Sequence, residues 1–211
     1  MLHMQEVEDV SSLKAVGVDV RTFLAEGCDR GSLMTVYTTE IDAFMSRVGS
    51  SSLLSVRHAS LLEWSNKSFS DSDHEVLAML CASGILSSAT TLELSLNKLD
   101  NDDVTAFLDA CAGGALESVA TLDLSLNKIG DDGVKAILHA GARKALPQLV
   151  HLDLDNNSIG DTGAMAISAA CARGGPLVRL RTLYLGGNRI SGTVKNTVRA
   201  AVSKNGGSVI F

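Results

Sequence analysis

Leu92-Glu93-Leu94-Ser95-Leu96-Asn97 recurs downstream as Leu122-Asp123-Leu124-Ser125-Leu126-Asn127, Leu152-Asp153-Leu154-Asp155-Asn156-Asn157 and Leu183-Tyr184-Leu185-Gly186-Gly187-Asn188. The four asparagines are spaced by 30, 30 and 31 residues. L-x-L-x-x-N at a fixed period of about 30 is the signature of a solenoid, whose units bury their apolar faces only against their neighbours. A solenoid acts through its exposed surface. The pattern therefore points to a binding scaffold without naming the partner.

The third copy shows how one unit is built. Leu149, Leu152, Leu154, Asn157 and Ile159 match L-x-x-L-x-L-x-x-N-x-L throughout. Leu152 and Leu154 alternate with Asp153 and Asp155, which predicts a short strand with one buried face. Asn157 turns the chain, and its amide can both donate to and accept from the backbone of neighbouring coils. Gly160 permits a bend, Asp161 reads as a helix N-cap, Ala164 to Cys171 is helix-prone, and Gly174-Gly175-Pro176 ends the helix. The second copy enters its helix through Gly130-Asp131-Asp132-Gly133 and runs to about His139. The first places its helix over Val104 to Cys111, and the fourth over Thr193 to Ser203. Successive strands must be parallel because a helix intervenes. Helices are wider than strands, so the array curves with its strands inside.

The flanks are less regular. Leu62, Trp64 and Phe69 fall 30 residues before Leu92, Leu94 and Leu99, with Val76, Leu77, Leu80 and Cys81 supplying a helix. This is a degenerate unit in which Lys67 replaces the asparagine, so the amide column stops at Asn97. Within residues 1–60, Val18 to Ala25 and Thr39 to Val48 carry helical apolar stripes: Val20, Phe23 and Leu24, then Ile41, Phe44, Met45 and Val48. They read as a helical cap over the first coil. Met34 to Tyr37 and Leu53 to Val56 are candidate strands of further decayed coils. Ser208 to Phe211 reads as the start of another strand, its apolar edge either docked on a partner or shielded by the preceding helix.

These motifs resemble the leucine-rich repeat superfamily, and within it the long-repeat, ribonuclease-inhibitor-like class. The resemblance rests on the strand motif with its asparagine, the period, and the full helix entered through G-D-x-G at Gly130 to Gly133 and Gly160 to Gly163. It covers about residues 89–211, with a weaker unit from about 60. It implies an α/β, right-handed solenoid: a horseshoe arc with parallel strands on the concave side, helices on the convex side and a helical N-terminal cap. Residues 1–60 would be the cap and 61–211 the repeat domain, with a degenerate unit at 61–89 and regular units at 90–119, 120–149, 150–180 and 181–211. Most members of the superfamily bind other proteins. Lys67, Gly186, Gly187 and the small number of units depart from the pattern, and a short array does not suit a large wrap-around inhibitor role.

Composition narrows the classes further. Of the 211 residues, 45% are apolar and only 4% aromatic, so aliphatic side chains must fill the core. No apolar run reaches membrane-spanning length. The acidic start, Met1 to Asp9, has neither secretory nor transit character, which predicts a cytoplasmic or otherwise intracellular protein. Cys81, Cys111 and Cys171 sit in register with the repeat and read as small buried hydrophobes, a disulfide being disfavoured in a reducing compartment. No cofactor is called for: P-loop, H-E-x-x-H, G-x-S-x-G and Rossmann fingerprints are absent from the sequence, and no close Cys/His pairs offer a zinc site.

The net charge of −6 conceals an asymmetry. Beyond Asp161 the chain has seven basic residues and no acidic one, which leaves −13 on residues 1–161. Strand positions facing away from the core form columns. The central one reads Glu93, Asp123, Asp153, Tyr184; its neighbours read Thr91, Thr121, His151, Thr182 and Ser95, Ser125, Asp155, Gly186. Carboxylates one strand apart repel by roughly 1 kcal/mol in water and ~3 kcal/mol at an effective dielectric near 20. This predicts an acidic cradle for a basic segment of a protein partner, with Tyr184 as an aromatic anchor. The alternative is that L-D-L-S is repeat grammar kept for solubility. Arg179, Arg181, Lys195 and Arg199 offer a second, basic surface, or a solvated end; interleaved aromatics that would favour nucleic acid are missing. His151 lies near Asp123 and Asp153 without a nucleophile to serve. A subunit role in a larger complex fits these surfaces. GTPase activation or regulation, known in the superfamily, is the alternative function; the acidic face fits it, but no residue stands out to reach a nucleotide.

Overall fold

A computed structural model describes residues 30–111, 114–171 and 175–211. Two helices come first, α1 (Arg30–Val48) and α2 (Leu53–His58). Strands and helices then alternate: β1 (Leu61–Glu63), α3 (Asp71–Ala82), β2 (Thr91–Glu93), α4 (Asn101–Ala110), β3 (Thr121–Asp123), α5 (Asp131–Ala142), β4 (His151–Asp153), α6 (Asp161–Ala170), β5 (Thr182–Tyr184), α7 (Gly192–Ser203) and β6 (Ser208–Ile210). The six strands form one parallel sheet in chain order. The pairing register equals the sequence period: Leu62, Leu92, Leu122, Leu152, Leu183 and Val209 stack as one buried row. Strands thus occupy one face and helices the other, as the leucine pattern requires.

The asparagines tie the coils together. Asn127 Oδ1 accepts from the backbone N–H groups of Asn97 and Leu99 at 3.1 and 3.0 Å, while its Nδ2 donates back to Leu94 O at 3.0 Å. Asn157 accepts from Ile129 N–H and donates to Leu124 O, each at 2.9 Å. Asn188 does the same with Ile159 N–H and Leu154 O. Asn97 accepts from Lys67 N–H at 2.9 Å and donates to Trp64 O at 2.6 Å, so the lysine closes the column with its backbone alone.

A second column runs along the helix entrances. Gly130 and Gly160 are the N-caps of α5 and α6 and bring no side chain of their own. The cap comes from the preceding coil instead. Asn101 Oδ1 accepts from Gly130 N–H at 2.8 Å and Gly133 N–H at 2.9 Å. Asp131 accepts from Gly160 N–H, and Asp161 from Ser191 N–H, each at 2.7 Å. Asp161 is therefore not the N-cap expected from the sequence; it is the first helical residue and caps the next coil. A Cβ at Gly133 or Gly163 would sit 2.7 or 2.6 Å from the capping oxygen, which explains the second glycine of G-D-x-G. The first two coils lack this feed and cap themselves, through Ser70 with Asp73 and Asp100 with Asp103.

The N-terminal helices close the first coil. Phe44 meets Trp64 edge-on and Phe69 at a tilt, each with centroids 5.3 Å apart, and Arg47 pairs with buried Asp73 at 3.1 Å. Met34–Tyr37 lies within helix α1, and Leu53–Val56 opens helix α2; neither is a strand of a decayed coil. At Leu53 the reason is local: Ser52 and Ser55 form a reciprocal capping box that starts a helix. Cys28 and the helix expected over Val18 to Ala25, with Val20, Phe23 and Leu24, fall outside the described residues. Helix α6 ends at Ala170 with Cys171 as its C-cap, within one residue of the stretch expected from the sequence.

All three in-register cysteines are buried as expected, but two of them are paired. Cys81 and Cys111 form a disulfide between the ends of α3 and α4, with Cα atoms 5.0 Å apart, rather than two reduced fillers. The repeat that stacks them inward also brings their sulfurs together. Gly141 occupies the equivalent site in the next coil, which leaves Cys171 a buried free thiol whose pKa burial pushes up to about 11.

Candidate functional site

Strand periodicity of two puts Glu63, Glu93, Asp123, Asp153, Tyr184 and Ile210 in one register row on the face opposite the core. Four successive coils thus present carboxylates about 4.8 Å apart. Glu63 is the member that sequence reasoning missed. The signal was there, since Glu63 precedes Glu93 by one 30-residue period inside the degenerate unit.

The hydrogen bonding of this face is mostly within itself. Asp123 accepts from Ser125 N–H at 2.8 Å and Asp153 from Asp155 N–H at 2.9 Å. Asp155, one row over, accepts from Gly186 N–H on the next coil. Ser95 Oγ donates to Ser65 Oγ at 2.9 Å. Gly186 and Gly187 have a steric cause: a Cβ at Gly187 would fall on the Asn156 side chain, and its φ of +67° favours glycine. His151 is exposed between Thr121 and Thr182, one row from the carboxylates.

Charge on the row is uncompensated. The ion pairs among the described residues are Arg47–Asp73, Lys135–Asp132, Arg143–Asp109 and the His74–Asp103 contact, and none involves a strand carboxylate. Partial burial, followed by repulsion from Glu63 and Asp123, raises the pKa of Glu93. Asp153 goes further, to about 6. Burial is the main cause, repulsion from Asp123 and Asp155 adds to it, and the N–H of Asp155 opposes it. Glu93 and Asp153 therefore hold charge against both a desolvation and a Coulomb cost.

The basic candidates divide. Lys195 and Arg199 both lie over the Phe211 ring, 5.2 Å from its centroid, and Arg199 also donates to Asn196 at 3.3 Å. They shield the end of β6. Arg181 donates to Val178 O and Leu180 O, and Arg179 is exposed. The four do not converge with the carboxylate row. Among the described residues, no group of three or more His, Cys, Asp and Glu could hold a metal ion, and no helix is long and apolar enough to cross a membrane.

Residues 116–138 and 146–168 match the family described as Leucine Rich repeat, and residues 179–200 match one described as Leucine Rich Repeat. The chain contains leucine-rich repeats. Among solved structures, this leucine-rich-repeat array is similar to the Leiomodin-1 Actin-Binding Site 2 (ABS2), at a TM-score of 0.54 and 20% identity, over 72% of this chain and 86% of that one. At that identity the likeness concerns the fold. No curated protein matches the sequence. Folds of this kind serve as protein–protein interaction modules, and stacked repeats give them the extended surface that use requires.

Proposed function

We propose that this chain is a non-catalytic protein-binding scaffold, a subunit of a larger complex, whose strand face receives a basic segment of a protein partner. The observation that carries the reading is the row of Glu63, Glu93, Asp123 and Asp153, flanked by Asp155 and ended by Tyr184, with no cation paired to it among the described residues. Burial first, and mutual repulsion after it, lift Glu93 and Asp153, and lysine or arginine from a partner would offset both costs. Tyr184 would supply the aromatic contact at the rim and His151 a polar one. Exposed Arg179 and Arg181 leave a separate basic patch for an acidic surface of the same complex. The 30-residue period with a full helix in every coil supports placing the repeats in the ribonuclease-inhibitor-like class, with residues 1–60 as cap and 61–211 as repeat domain.

The test is charge reversal. The purified Asp123→Lys/Asp153→Lys variant should retain its helical circular dichroism and lose the partners that the wild-type chain retains at low salt. The Arg179→Ala/Arg181→Ala variant should retain them. Equal recovery of the same partners by wild type and the aspartate variant would show that the strand face is not the docking surface.

A further inference from the structure

The residue before each ladder position has left-handed backbone in all five coils: Asn66, Leu96, Leu126, Asn156 and Gly187, with φ between +53° and +67°. Asparagine and glycine tolerate this conformation, whereas leucine does so at a cost. Leu96 and Leu126 lie outside the buried core, each 45% exposed. They lie on adjacent coils: Leu96 N–H donates to Ser125 O at 3.2 Å and Leu126 N–H to Asp155 O at 2.8 Å. Glu93 and Asp123 stand three residues before them, and exposed Lys98 and Lys128 two residues after. Across two coils the surface thus reads acidic, apolar, basic.

We propose that Leu96 and Leu126, together with the carboxylate row beside them, form a docking strip for a basic amphipathic helix of a protein partner, lying along the array. The inference rests on the reading that the strand face receives a basic segment, and adds the shape and the apolar stripe of that segment. Spacing selects a helix. Strands recur every ~4.8 Å, a helical turn every ~5.4 Å, and same-face residues of an extended chain every ~6.7 Å. Over the three gaps from Glu63 to Asp153 the mismatch is about 2 Å for a helix and about 6 Å for an extended chain. Flexible lysine and glutamate side chains absorb the first and not the second. A helix with lysine or arginine on one stripe meets the carboxylates, and its adjoining apolar stripe covers the two leucines. Lys98 and Lys128 then repel a helix that is basic all round, which favours a third stripe that is acidic or neutral.

The probe is a fluorescent helical peptide of about 18 residues, long enough to span the six strands, with Lys, Leu and Glu on successive stripes. A scrambled peptide of the same composition is the control. Each is titrated at low salt against the wild-type chain, the Leu96→Asn/Leu126→Asn variant and the Asp123→Lys/Asp153→Lys variant. Wild type should bind the amphipathic peptide roughly ten-fold or more tighter than the scramble. The leucine variant should lose that preference and keep its unfolding midpoint, because asparagine is the residue coils at 66 and 156 already carry. Undiminished preference in the leucine variant, or no binding of the amphipathic peptide by wild type, overturns the strip. Equal binding of both peptides, abolished by the aspartate substitutions, sinks the strip and leaves the cradle standing. Binding that survives the aspartate substitutions sinks both.

Discussion

Asp153→Asn should make the protein more stable at neutral pH. Burial, together with Asp123 and Asp155, lifts the Asp153 carboxyl from 3.8 to about 6. A carboxyl whose pKa is higher in the folded than in the unfolded chain holds its proton better when folded. Its ionisation therefore costs stability: the cost is absent below about pH 4, grows as pH rises from there, and is complete above about pH 6. A shift of about 2 units is worth at most about 3 kcal/mol at 1.36 kcal/mol per unit. Asp153 keeps partial contact with water, so ~1–2 kcal/mol is the realistic gain. Asparagine removes the charge and keeps an oxygen to accept from Asp155 N–H, so the local hydrogen bond survives. In a chain of this size the gain should raise the melting temperature by roughly 2–4 °C per kcal/mol. Urea unfolding of wild type and variant at pH 7 and pH 4 measures it. The variant should be more stable at pH 7 and indistinguishable at pH 4. An equal offset at both pH values, or destabilisation at pH 7, would refute the account of the carboxylate row.

Asn127→Ala strips acceptors from the buried N–H groups of Asn97 and Leu99, and should cost ~3–5 kcal/mol in urea unfolding. Gly163→Ala drives a methyl against Asp131 Oδ1 and should cost about 1–3 kcal/mol, whereas Gly192→Ala, with no atom within 4 Å, should be neutral or slightly stabilising. Cys81→Ala/Cys111→Ala opens a 30-residue loop and should lose about 3–4 kcal/mol relative to the oxidised protein, and mass spectrometry of native protein treated with a thiol reagent should show Cys171 unmodified. Binding of a lysine-rich peptide should weaken as pH falls below about 6, because Asp153 takes up the proton that a bound cation displaces.

The array was legible because its register equals its period. Once Leu92, Leu122, Leu152 and Leu183 align in sequence they align in space, and the outward residues beside them follow. Glu63 needed only the same step through a unit whose asparagine is missing. The inter-coil caps were not legible. Asn101, Asp131 and Asp161 look like residues serving their own helices, and only three-dimensional stacking shows that each satisfies the helix start of the next coil. Leu53–Val56 misled because four apolar-rich residues fit a strand or a helix equally well, and the Ser52–Ser55 capping box decided between them. The disulfide turned on the redox setting, which stacking alone does not determine. Leu96 and Leu126 fill x positions of L-x-L-x-x-N, which the pattern leaves open to any residue, so their left-handed backbone and their exposure emerge only in three dimensions.

The central claim is that partners dock on the strand face through its carboxylates. Amide chemical shifts of the isotope-labelled chain, recorded while the Lys/Leu/Glu helical peptide is added at low salt, test it residue by residue. The account predicts perturbations centred on Glu63, Glu93, Asp123, Asp153, Leu96 and Leu126, weakening as salt is raised. Perturbations confined to helices α3 to α7, with the strands unmoved, would contradict it.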